Sequence, residues 1–107
     1  MSLYDEFLAF EATECPWMKD KFSEILSMDL TMLEAKYVMN LTSCFSFLRD
    51  TREKLSLDRN NMDVYRNGFV HIYNICYVLL KLGINIPKVS FPPDIQDYLD
   101  IQLVMTQ

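Results

Sequence analysis

Glycine and proline are scarce in this chain: two and four in 107 residues. Both residues make turns, and an all-β sandwich of this length needs many of them. Their scarcity argues against that class and favours long helices with short connections. Paired cysteines are missing too. Cys15, Cys44 and Cys76 are odd in number and widely spaced, no Cys-x-x-Cys occurs, and His71 is the only histidine. Neither a zinc site nor a disulfide framework is expected; the three thiols read as small core residues of a reduced protein. A glycine-rich phosphate loop, His-Glu-x-x-His and Gly-x-Ser-x-Gly are absent, so no metal and no cofactor is predicted.

Long hydrophobic runs are also lacking. The longest, Phe69–Leu80, is interrupted by His71 and Asn74, and spanning a bilayer takes roughly 20 apolar residues. The helices lack lysine- and arginine-rich polar faces of the kind that bind lipid surfaces. Met1–Phe7 is acidic and has no basic n-region, so no secretory signal is expected. These features together predict a cytoplasmic, reducing location with no membrane contact.

What is present is apolar mass: half the residues are hydrophobic and 13% aromatic, enough to build a core in one domain covering residues 1–107. Net charge is −5 and unevenly spread. Acids crowd the first third (Asp5, Glu6, Glu11, Glu14, Asp20, Glu24, Asp29, Glu34), and Asp94, Asp97 and Asp100 follow near the end. All four arginines (Arg49, Arg52, Arg59, Arg66) fall in one window. The chain as a whole repels polyanions, so any anion would be met near that window.

Periodicity predicts five helices. The first runs from Leu3 to Thr13, capped by Ser2, with Asp5 and Glu6 at its positive end and Leu3, Phe7 and Phe10 on one face. The second begins with Pro16 in its first turn, carries Met18, Phe22, Ile25 and Leu26, and ends near Met28. The third opens on a capping box, Thr31-Met32-Leu33-Glu34, and its stripe Leu33, Tyr37, Leu41, Cys44, Leu48 extends to Leu55. Its far end, Arg49 to Lys54, reads as mixed-charge solvated surface. Asp58, Asn60 and Asn61 form the break that follows. The fourth runs from Met62 to Leu82, with Asn60 or Asn61 as its cap and Asp63 in its first turn, and Gly83 stops it. Phe69, Ile72, Cys76 and Leu79 line one of its faces, and Val70, Tyr73, Tyr77 and Leu80 another. Such a helix is either the centre of the bundle or part of a dimer interface. The last runs from Pro93 to Val104, with Ile95, Tyr98, Leu99 and Leu103 apolar. The fold class is therefore all-α: an antiparallel bundle of four to five helices.

One segment carries a pattern suited to chemistry: Tyr65-Arg66-Asn67-Gly68-Phe69-Val70-His71-Ile72-Tyr73. It resembles the Arg-x4-His-x-Tyr signature of HEPN-domain ribonucleases, in particular the toxin half of HEPN/nucleotidyltransferase pairs. The resemblance includes the asparagine after the arginine and covers these nine residues. It implies a small helical bundle that cleaves RNA without metal, as a dimer, or an inactive relative of such an enzyme. His71 would be the general acid/base and Arg66 would stabilise the phosphate, both catalytic; Asn67 and Tyr73 would bind or orient. The chemistry is sound in principle. Histidine titrates near neutrality and can move the 2′-hydroxyl proton, and arginine offers a planar, permanent cation to the phosphoryl oxygens. Helix geometry adds a constraint. Residues five apart lie about 140° apart around the axis, so Arg66 and His71 point apart while Asn67, His71 and Asn74 share a face. A composite site then needs a second chain across the helix at 62–82.

The same residues support a different class of function. His71 can be a half-buried structural histidine, Arg66 and Asn67 surface residues of a first turn, and Tyr65 and Tyr73 core. The protein is then a small acidic module that binds and regulates or inhibits a larger partner protein, using adaptable methionines and aromatics. Its carboxylates either mimic phosphate charge or simply solvate two surface helices.

Overall fold

In a computed structural model, the backbone is described for residues 1–28 and 32–106, and side chains for 1–28 and 35–100. The described residues form five helices: α1 (Leu3–Glu14), α2 (Met18–Leu26), α3 (Met32–Leu57), α4 (Met62–Lys81) and α5 (Pro93–Thr106). No strand occurs among the described residues, and the all-α bundle is the observed class.

The caps show why the helices begin and end where they do. Ser2 closes a reciprocal capping box with Asp5: its hydroxyl accepts from the Asp5 amide at 3.2 Å, and the Asp5 carboxylate accepts from the Ser2 amide at 3.4 Å. The Ser2 hydroxyl also donates to that carboxylate at 2.8 Å, and this bond first, then the one from the Ser2 amide, hold the Asp5 carboxyl below its ordinary range. Asn61 caps α4 through its side-chain oxygen, which accepts from the Val64 amide at 3.2 Å. The other end of α4 is a Schellman motif. Gly83 takes φ of 78°, its amide donates to the Leu80 carbonyl, and the Ile84 amide donates to Leu79, both at 3.0 Å. Leu79 and Ile84 are both buried beside that turn.

Two expected boundaries shift. Pro16 is not in the first turn of α2. It lies in a separate turn, and the helix starts two residues later at Met18. The Trp17 indole N–H donates to the Glu14 carbonyl at 3.0 Å, which satisfies the end of α1 and fixes that turn. α2 stops at Leu26, with the Ser27 hydroxyl bonded back to the Glu24 carbonyl. The expected capping box at Thr31–Glu34, and the apolar Leu33 and Leu103, lie outside the described side chains.

α3 and α4 form an antiparallel pair, joined by the short turn at 58–61. Facing residues run in opposite directions along the pair, Phe47 beside His71 and Thr51 beside Gly68. The predicted α3 stripe is buried at Leu41, Cys44, Leu48 and Leu55. Thr51 completes it, with its hydroxyl satisfied by the Phe47 carbonyl at 2.9 Å. α1 and α5 pack on α4, and α1 also touches α3, so α4 is the central helix. Its Phe69, Ile72, Ile75 and Leu79 are fully buried. Two long-range bonds lock α1 to the turn at 58–61: the Tyr4 amide to the Arg59 carbonyl at 3.0 Å, and the Leu3 amide to Asn60 Oδ1 at 3.3 Å. A bidentate pair, Arg52 to Glu11 at 2.6–3.1 Å, ties α1 to α3.

Candidate functional site

The segment Tyr65–Tyr73 occupies the first half of α4, which Asn61 starts and the α3 contact holds. Because α4 is central, each of its flanks meets a different neighbour. The four residues of the motif are divided between two of them. Asn67 and His71 turn toward α3, where they line a groove with Phe47, Asp50, Thr51, Lys54 and Val64, of about 230 Å³. Arg66 turns toward α5, where its guanidinium lies over the Tyr98 ring, 5.5 Å from the centroid. Tyr73 packs near Phe91, with ring centroids 6.4 Å apart. Arg66 and His71 therefore do not meet within one chain.

His71 is half-buried, and its ring lies 5.4 Å from that of Phe47 at an angle of 31°. Burial disfavours the charged imidazolium and lowers the His71 pKa below its ordinary value of 6.5. The ring is thus neutral at pH 7 and able to accept a proton. Beside it in the groove stand one amide, one carboxylate and one ammonium group: Asn67, Asp50 and Lys54. The sequence treats Asp50 and Lys54 as plain surface. Their membership of this groove follows from the antiparallel register of α3 on α4, and no local pattern signals it.

The arginine window does not form one cationic patch. Arg52 is engaged by Glu11, Arg59 lies over the Tyr4 ring at 5.1 Å, and Arg66 lies over Tyr98. Arg49 lines a recess between α1, α2 and α3 together with Arg52, its partner Glu11, Lys19 and Cys15. Helical spacing divides the four: Arg49 and Arg52, one turn apart on α3, share that recess, while Arg59 and Arg66 lie on other parts of the bundle.

On the far flank of α4 a mainly apolar groove of about 230 Å³ runs between the helix and the extended segment after it. Tyr73, Cys76 and Leu80 form one wall, and Ile86, Pro87, Val89 and Phe91 the other, with Lys88 its one charged member. Tyr77 and Leu80 beside it are 50% and 59% exposed. The three thiols are free. Cys15 and Cys44 are buried and Cys76 half-buried. Burial pushes Cys15 up to about 12 and Cys76 up to about 11, the opposite of an activated nucleophile. Among the described residues, no group of three metal-ligating side chains converges, and no helix is long and apolar enough to cross a membrane.

No protein family, curated protein or solved structure matches the chain.

Proposed function

We propose that this chain is a small acidic, non-enzymatic helical module that docks on a larger protein partner. The observation that supports this is the apolar face at the end of α4. Tyr77 and Leu80 stand half or more exposed beside a groove whose walls are Tyr73, Cys76, Ile86, Val89 and Phe91. Single exposed apolar residues are ordinary, but a contiguous rim and groove is the usual mark of a contact surface. The division of Arg66 from His71 across α4 points the same way, because it leaves no assembled catalytic set in one chain.

The test is Leu80→Glu, which leaves the core intact because the side chain is already largely in solvent. Partner capture by the wild type, lost in this variant at unchanged helicity and Tm, is the expected result. Capture that is identical in the two proteins refutes the reading. Light scattering on the purified wild type separates a second copy of the chain from a different protein as the occupant.

A second reading has one observation behind it: His71 and Asn67 share an open groove with Lys54. Under it the protein is a HEPN-like metal-independent endoribonuclease, or an inactive relative of one. Neutral His71 takes the 2′-hydroxyl proton, and a second chain supplies the Arg66 guanidinium. RNA cleavage in EDTA, abolished by His71→Ala and by Arg66→Ala, is its signature. Cleavage equal in wild type and His71→Ala, or no cleavage, removes the active form.

A further inference from the structure

Another recess, of about 410 Å³, lies between α1, α4 and the first turn of α5. Its size is in the range of small-molecule sites, roughly 300–1,000 Å³. Its wall is aromatic. Phe10, Tyr65 and Phe69 line it, and Phe69 meets each of the other two rings edge to face with centroids 4.9 Å apart. Its charged members are both carboxylates, Glu6 from α1 and Asp94 from α5. Nothing in the fold uses this combination, since neither carboxylate is in an ion pair with a described residue.

Tyr65 supplies an independent pointer to a ligand. It is only 6% exposed, yet its hydroxyl takes part in no hydrogen bond among the described residues. Among the described residues, no fully buried polar side-chain atom lacks a partner. The hydroxyl is therefore not sealed in the core, and because Tyr65 lines the recess it can offer an acceptor to an occupant there. Burial first, and then the charges of Glu6 and Asp94, raise the pKa of the phenol.

We propose that this recess binds an organic cation, an alkylammonium or guanidinium group with a short apolar stem. The aromatic faces are negative and attract a cation placed over them. Glu6 and Asp94 supply two full negative charges around the mouth. The α5 N-terminus brings about half a positive charge to the same place, too little to reverse the field. The Tyr65 oxygen accepts from an N–H of the bound group. An anion meets two carboxylates and is excluded. The cation is either a free amine or the side chain of a basic peptide, and the chemistry of recognition is shared.

The experiment titrates the full chain with butylammonium, tetramethylammonium and neutral butanol, followed by amide and aromatic chemical shifts. Saturable shifts at Glu6, Phe10, Tyr65, Phe69 and Asp94 are expected with both cations and not with butanol, weakening as salt is added. Glu6→Gln and Asp94→Asn each lower affinity about three- to fivefold, at the upper end of what one exposed charge contributes. Tyr65→Phe weakens butylammonium but not tetramethylammonium, which has no N–H to donate. Equal shifts with butanol, or no loss in the Glu6→Gln/Asp94→Asn double variant at unchanged helicity, would overturn the proposal. A lysine or arginine flanked by glycines tells the two sources apart. Tighter binding than butylammonium assigns the site to a basic peptide, and weaker binding assigns it to a free amine.

Discussion

Replacing Gly68 by alanine tests the close packing of α1 and α3 on α4 that shapes the recess at Tyr65. In an open helix position this change stabilises by about 1 kcal/mol, because glycine loses more backbone entropy. At Gly68 the sign should reverse. An added Cβ would lie 2.6 and 2.8 Å from Cε2 and Cζ of Phe7 and 2.9 Å from Cγ2 of Thr51, where carbon atoms prefer roughly 3.5–4.0 Å. Neither neighbour can retreat easily. Phe7 is fully buried, with its ring set edge to face against Phe69 at 5.3 Å. Thr51 is held by its bond to the Phe47 carbonyl. Relief requires α1 or α3 to move away from α4 by on the order of 1 Å, an overpacking strain that costs about 1–3 kcal/mol, and three close contacts place it at the upper end. After the propensity gain, a net loss of about 1–2 kcal/mol remains. At about 4–8 °C per kcal/mol for a domain of this size, Tm falls by about 5–15 °C. Urea unfolding followed by circular dichroism measures it. Adding Phe7→Leu to Gly68→Ala should cost less than the two single changes summed, since the smaller side chain relieves the clash. A Gly68→Ala protein more stable than wild type would refute the close approach of α1 to α4, and with it the recess that holds Tyr65.

Other consequences can be measured directly. The folded pKa of His71 is depressed by burial, so below its ordinary value of 6.5 the unfolded chain binds the proton first. This contribution therefore lowers stability as pH falls through that value, and His71→Gln should flatten the pH dependence of urea midpoints between pH 7 and 5. Cys15 and Cys76, pushed up to about 12 and about 11, should resist iodoacetamide at pH 8 in the native protein and react fully in urea, as read by mass spectrometry. Glu11→Gln removes the charge that Arg52 grips bidentately while keeping the side chain's shape. Because Arg52 is partly exposed, a loss of about 1 kcal/mol is expected rather than the larger cost of a fully buried pair, and it should shrink in high salt. A loss above roughly 3 kcal/mol would mean that the pair is sealed from water.

The helices were legible because their determinants are local. Ser2 with Asp5, Asn61 and Gly83 are cap residues whose chemistry acts within four residues, and the apolar stripes repeat at the helical period. α2 was misplaced at its start because the Trp17 bond to the Glu14 carbonyl makes a turn that composition does not announce. The angular separation of Arg66 from His71 is also a property of one helix and could be stated in advance. What covers each flank could not. Arg66 meets Tyr98, which lies far along the chain in α5, and His71 meets Phe47 and lines a groove with Lys54 of α3. Glu6 and Asp94 look, in sequence, like ordinary acids at helix N-termini. They share a recess only because the stripe Leu3, Glu6, Phe10 of α1 is laid against Met62, Tyr65, Phe69 of α4, with α5 closing one end. Spacing along a helix determines which residues share a face. Which two faces meet depends on how all five helices bury their apolar stripes at once, and that balance is made by the whole chain.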